Sequence, residues 1–217
     1  MDYESFYAKL NGYHPLTSPL RAYLKVVLRE ICLTDNKPIE TSHWKDYPLI
    51  FISKGTLKTK LESKVEPGRS LLLFHFEGTM LPQFLERNLD DFQLKTTTIG
   101  GTTLMAIPSG HLHNLYKLFP EFHEVIEGIT LNNFTELFHL AFDIKNVKSD
   151  DRLATLLKLH PNIFQLAPSI DIADSIGMHA HTLSTLKNKY FNNKKSSVPL
   201  QELRSKSRYA FVPKQEP

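Results

Sequence analysis

The sequence predicts an α+β chain in which a helical lead, an antiparallel β-roll, a long helix and a C-terminal helix-turn-helix follow one another. Three observations predict it. Six of the nine glycines (Gly55, Gly68, Gly78, Gly100, Gly101 and Gly110) fall in one middle segment among short β-type runs. Apolar residues then recur at helical intervals from Pro120 to about Lys145. Near the end, Gly177 separates two short helical patterns.

The lead, Ser5 to Cys32, places Leu16, Leu20, Tyr23, Leu24, Val27 and Leu28 at spacings of three and four, the period of one helix face. Ser18 followed by Pro19 reads as an N-cap with proline at the first helical position. The next runs are Leu49 to Ser53, Thr56 to Leu61, Ser70 to Phe76, Phe92 to Thr98 and Thr102 to Ile107, all rich in strand-forming residues. In Thr56 to Leu61, Leu57, Thr59 and Leu61 alternate with Lys58 and Lys60, so one face is predicted buried and the other wet. Pro67-Gly68 and Gly100-Gly101 supply tight reversals. Behind the roll, Phe122, Val125, Ile126, Ile129, Phe134, Leu137, Phe138 and Ala141 mark the long helix, which Gly128 weakens by about 1 kcal/mol relative to alanine. Its apolar residues exceed one narrow stripe without a strict heptad, so it is expected to bury against both its own roll and a second copy.

The chain has 217 residues, with 41% hydrophobic and 23% charged, the composition of a folded globular protein. No apolar run reaches the roughly 18 residues needed to span a bilayer, and Met1 to Leu10 carries Asp2 and Glu4 where a leader would be basic. A cytoplasmic, unprocessed chain without membrane attachment is expected. Cys32 is the single cysteine, which excludes an intrachain disulfide and a paired-cysteine metal knuckle and is read as a buried thiol. The net charge of +3 is unevenly placed: from Lys187 onward eight basic residues face two acids, leaving the rest mildly acidic. A basic C-terminal end suits a polyanion such as nucleic acid, or is a solvated tail.

From Ser149, two aspartates lead into Arg152, Leu153, Leu156, Leu157 and Leu159, and His160-Pro161 stops that helix. Ser169 to Tyr190 (SIDIADSIGMHAHTLSTLKNKY) then has helix-turn-helix form. Ile170, Ala173 and Ile176 share one predicted face, Gly177 supplies the left-handed turn, and Leu183 and Leu186 hold the second helix inward. His181, Thr182, Ser184, Thr185, Lys187, Asn188 and Lys189 remain for the outward face, with groups able to contact phosphates and base edges. An ordinary two-helix corner with a solvated face has the same local pattern.

In this order, the segments Leu49 to Gly55 (LIFISKG), Leu115 to Pro120 (LYKLFP), Arg152 to Pro161 and Ile172 to Ser184 (IADSIGMHAHTLS) resemble the Crp/Fnr family of transcription regulators over nearly the full chain. The resemblance implies a double-stranded β-helix sensor domain (a cupin-like jelly roll) at 1–118, a long dimerisation helix at 119–148, and a winged-helix-type DNA-binding domain with a basic tail at 149–217. It also implies a homodimer reading double-stranded DNA with the second helix of the motif, and a possible small-molecule effector in the roll. Two departures matter. The family's nucleotide-binding members pair a Gly-Glu with an arginine that holds the cyclic phosphate. Gly78 to Thr98 has no Gly-Glu, carries Asp90 and Asp91, and offers only Lys95 near the arginine's place, so cyclic AMP is not the expected effector. One cysteine cannot hold an iron–sulfur cluster, and no cofactor is expected. Thr185 also stands where the family typically places an arginine, removing the side chain best suited to bidentate guanine contact.

His111 and His113 have the His-x-His spacing of metal-dependent cupins, and His75 lies on another predicted strand. His179 and His181 share that spacing, so the pattern is not specific, and no metal site is assigned. Without a G-x-S-x-G elbow, a Walker-type loop or a Rossmann glycine run, the chain is read as a non-enzyme with no catalytic residue. Phe74, Phe76, Phe92, Trp44 and Tyr47 read as roll core and rim. In the tail, Tyr209 to Val212 suits either a small wing strand or part of a basic arm. The leading expectation is a dimeric DNA-binding regulator. A β-roll sensing module that has lost DNA reading comes second, and a metal-dependent cupin enzyme third.

Overall fold

The structure is a computed structural model, and it describes residues 2–39, 45–66, 68–82 and 90–195. Trp44, Pro67 and residues 196–217, on which the wing or arm rests, lie outside the described residues.

The helical lead is two helices, α1 (Tyr3–Asn11) and α2 (Ser18–Val27). Thr17, one residue before the expected cap, accepts the Leu20 amide and puts Pro19 in the first turn of α2. The helix ends at Val27, short of the expected Cys32, because Arg29–Leu33 forms strand β1 against Thr102 to Ala106. In that strand Ile31 and Leu33 turn toward the core and Cys32 points outward, so the thiol is exposed, not buried as its sequence suggested.

Strands β2 (Pro38–Ile39), β3 (Leu49–Ser63), β4 (Ser70–Phe76), β5 (Met80–Pro82) and β6 (Phe92–Ile107) complete an antiparallel sheet in the order β1-β6-β3-β4, with β2 on β6 and β5 on β3. Each long strand joins two of the runs that looked separate. The glycines between those runs are bends within continuous strands: the β3–β6 register shifts on both sides of Lys54, beside Gly55 and opposite Gly100 and Gly101. The shift exchanges the faces. Ile50 and Ile52 before it share a core with Leu57 after it, although their positions differ in parity.

Three apolar clusters follow from that bend. Leu49, Phe51, Met105 and Ile107 pack under α1, α2, α3 (Leu112–Leu118) and the first half of α4 (Glu121–Asn146). Ile39, Ile50, Ile52, Leu57, Leu81, Leu104 and Ala106 fill the roll. At the far end, Phe74, Phe76 and Ile99 lean on a cluster built from α5 (Ser149–Leu159), α6 (Ile163–Leu166), α7 (Ser169–Ser175) and α8 (Ala180–Lys195). Gly128 is where α4 meets the lead, since a Cβ there would lie 2.8 Å from Cβ of Tyr13. Its helix cost is thus offset by close packing.

Gly55 has φ +92°, and a Cβ on it would sit 2.8 Å from the Gly101 carbonyl oxygen and 2.9 Å from Cα of Thr102. Gly55→Ala should therefore destabilise the chain by about 2–4 kcal/mol, read as a lower denaturant midpoint; a loss under about 0.5 kcal/mol would show that the strand crossing can relax.

Candidate nucleic-acid interface

The C-terminal unit begins where α4 ends. Arg152, in the first turn of α5, donates through Nη1 to the carbonyls of Ile144 (3.3 Å) and Gly177 (3.2 Å), and through Nη2 to Ser149 Oγ (3.3 Å). One guanidinium thus ties the end of the long helix to the turn of the helix-turn-helix. Gly177 takes φ +61° there, with Ile144 and Arg152 packed where a side chain would project. The turn is closed by the Gly177 and Met178 amides, which donate to the Asp174 and Ala173 carbonyls.

In α7 the buried residues are Ile172, Ala173 and Ser175, with Ile176 buried just past its end, while Ile170 is 62% exposed, which corrects the expected face. The reason is tertiary: α7 lies between the roll and α8, so its buried arc is rotated toward both. Lys58 Nζ on β3 donates to Asp171 Oδ2 at 2.6 Å, and Ser70 Oγ on β4 donates to Asp174 Oδ2 at 3.3 Å. Nearby, the rings of Phe76 and His160 stack with centroids 3.4 Å apart. Phe74 and Phe76 therefore belong to this contact, whereas Tyr47 packs on the roll core and Phe92 is largely exposed.

On α8, Leu183 is buried and Leu186 packs beside it. His181, Ser184, Thr185 and Asn188 are exposed and, at i, i+3, i+4 and i+7, make one outward strip. Thr185 Oγ1 donates to the His181 carbonyl. Of the other residues expected on that face, Thr182 is half-buried and Lys187 is turned inward, its amine 4.5 Å from the centre of the Phe164 ring. Lys189 lies on the flank, 3.3 Å from Asp150 Oδ2. The strip itself is uncharged or histidine.

Two contributors were missed from sequence. Arg152 was read only as part of a helix start, because its acceptors lie 8 and 25 residues away. The docking face of β4 did leave a signal, since Phe74 and Phe76 stand on the side opposite His75 and mark a second covered face.

Inside the roll, His75 Nε2 and Thr59 Oγ1 share a 3.0 Å hydrogen bond, and Thr59 Oγ1 bonds Thr96 Oγ1 at 3.0 Å. Burial holds the His75 pKa down to about 4. His111 bonds the Tyr23 hydroxyl at 3.1 Å, and His113 lies in the first turn of α3. Among the described residues no group of three histidine, cysteine or acidic side chains is placed to hold a metal, and no helix is long and apolar enough to cross a membrane.

No protein-family model and no curated protein matches the chain. Solved structures do. One, from Eubacterium rectale and assigned to transcriptional regulators of the Crp/Fnr family, superposes with a TM-score of 0.62 over 84% of this chain and 88% of its own, at 17% identity. The chain has the Crp/Fnr fold. FixK2 from Bradyrhizobium japonicum shares this fold with a TM-score of 0.61 at 17% identity, over 77% of this chain and 86% of its own. CLP from Xanthomonas campestris, a c-di-GMP-responsive global regulator, shares it with a TM-score of 0.56 at 12% identity, over 82% and 93%.

His75 carries a pH prediction. Its folded pKa lies below its unfolded value, so above pH 6.5 both states hold it neutral, and as the pH falls toward 4 the unfolded state gains the proton first. His75 should therefore cost on the order of 3 kcal/mol of stability across that window. His160, also held below its ordinary value by burial, acts in the same direction. Denaturation midpoints measured from pH 7 to pH 4 should fall less steeply in His75→Gln; an unchanged slope would place the titration elsewhere.

Proposed function

We propose that the protein is a cytoplasmic, homodimeric DNA-binding transcription regulator and not an enzyme. In this reading, residues 1–118 form the sensor roll, 119–148 the dimerisation helix and 149–217 the DNA-reading unit with its basic tail. The observation that carries it is the outward strip of His181, Ser184, Thr185 and Asn188 on the second helix of a helix-turn-helix. Amide, hydroxyl and imidazole groups on such a helix suit base edges in a major groove, with Asn188 able to pair bidentately with adenine. Thr182 at the edge of the strip would meet the sugar-phosphate backbone, and Lys189 is the flank cation nearest to phosphates. Lys187, drawn over Phe164, has a smaller share.

Dimerisation is supported by the outer side of α4. Leu131, Phe134, Phe138 and Phe142 are 57–60% exposed and lie along one stripe opposite the side that packs on the roll. An exposed run of large apolar groups on a long helix suits a second copy. A two-fold dimer would place the reading helices about 34 Å apart on a nearly palindromic site. A small-molecule effector of the roll, of a chemistry other than cyclic AMP, would find hydrogen-bonding groups in His75, Thr59 and Thr96.

A second reading, a sensing module without sequence-specific DNA binding, is favoured by the lack of lysine or arginine on the strip. Selection of random duplex DNA by the purified full chain separates the two. The expected outcome is an enriched near-palindrome with half-sites one helical turn apart; no enrichment from a folded dimer would favour the module. With an operator in hand, Asn188→Ala should cost about 1–3 kcal/mol in discrimination at one base position, whereas Lys189→Ala should weaken all sequences and lower the salt slope by about one. Phe138→Glu should convert the dimer to a monomer in sedimentation; a persistent dimer would move the interface off α4.

A further inference from the structure

The face of the roll toward α7 carries a group of three lysines. Lys60 on β3 and Lys95 on β6 are direct cross-strand partners, and Lys58 stands two residues along β3 on the same face. Like charges directly opposite in an antiparallel pair repel, and here Glu62 lies beside both lysines and offsets that repulsion. These three lysines line one cleft of about 410 Å³ together with Asn36, Thr97 and Asp171, with buried Leu72 beneath them and exposed Pro38 at the edge.

The carboxylates facing them come from two elements. Asp171 on α7 takes Lys58, at 2.6 Å. Glu62, on β3 itself, takes Lys60 at 2.7 Å and lies near Lys95. Asp174, on α7, adds its field to Lys60. Lys95 is in no ion pair among those described and is exposed at the rim. An entering anion thus finds Lys95 accessible and must compete with carboxylates for Lys58 and Lys60. Lysine ammonium groups act as rotatable point charges, which suits a phosphate more than the planar fork-to-fork pairing of a carboxylate. The volume exceeds that of a bare ion and falls in the range of small-molecule sites.

We propose that this cleft binds a small phosphorylated molecule, and that its phosphate displaces Asp171 from Lys58. Because Asp171 belongs to the first helix of the helix-turn-helix, occupancy weakens the hold of the roll on α7. By linkage, anything that draws α7 off the sheet strengthens ligand binding equally. The binding site stands on the cleft alone, while its regulatory meaning rests on the DNA-reading proposal. The site is separate from the roll interior: Lys58 and Lys60 face away from Thr59 and the His75 cluster.

The test is calorimetric titration of the full chain with inorganic pyrophosphate, at ionic strength held constant with chloride. Saturable binding of one equivalent per chain is expected. Lys95→Thr should weaken it roughly tenfold. Asp171→Asn should tighten it several-fold. Asp46→Asn, which removes the same charge from an exposed position away from the cleft, should leave it unchanged. Absence of saturable binding in the millimolar range would overturn the proposal. So would an Asp171→Asn affinity equal to or weaker than that of the parent, or equal tightening by Asp46→Asn. None of these readouts involves DNA, so failure here and failure of the DNA selection are distinguishable.

Discussion

At Gly55 the backbone of β3 passes so close to Gly101 and Thr102 of β6 that no side chain fits between them. That contact exchanges the faces of two long strands in mid-course. Ahead of it, Leu49 and Phe51 look outward onto the helical lead and the start of α4. Beyond it, the outward face carries Lys58 and Lys60, and joins Phe74, Phe76 and Ile99 in reaching the C-terminal unit. A single strand pair thus supports the roll interior, the base of the long helix and the docking face of the helix-turn-helix. Without the crossing, a regular two-residue alternation would keep one face apolar throughout, and the cationic and aromatic surface facing α7 would turn into the core.

The C-terminal unit is held at two places of different character. The Arg152 guanidinium bonds backbone carbonyls at the end of α4 and at the Gly177 turn, a link that depends on position and not on the identity of the accepting side chains. The contact of α7 with the sheet combines one part-buried ion pair and one long hydroxyl–carboxylate bond with the apolar packing of Phe74, Phe76 and Ile99 on the C-terminal cluster, and Phe76 stacks on His160 just past α5. Partly solvated ion pairs contribute little net stability and are sensitive to competing ions. The first link keeps the turn in register with the long helix.

Charge shows why a sequence-level asymmetry does not translate directly into a surface. The basic surplus begins at Lys187, yet on α8 Lys187 lies over Phe164 and Lys189 near Asp150, leaving a strip of amide, hydroxyl and imidazole groups facing outward. Most of the surplus resides from Lys194 onward. In the proposed reading, base contacts would fall to the strip and phosphate attraction to the flank and the basic C-terminal sequence.

Local periodicity by itself determined the order of elements, the long helix from Pro120, the turn at Gly177 and the inward role of Leu183, because helix period, glycine φ and proline stops act within a few residues. Outward positions at His181, Ser184, Thr185 and Asn188 were legible for the same reason. Tertiary structure decided what depends on distant partners. The stretch from Arg29 became a strand because β6 had an open edge, and Cys32 was turned outward by that pairing. Ile170 was left exposed and Lys187 drawn inward by neighbours that no local window contains. The cleft of Lys58, Lys60 and Lys95 arose only when strand register set Lys60 opposite Lys95, 35 positions further along the chain, since cross-strand register is fixed by pairing across the whole roll and not by either strand alone.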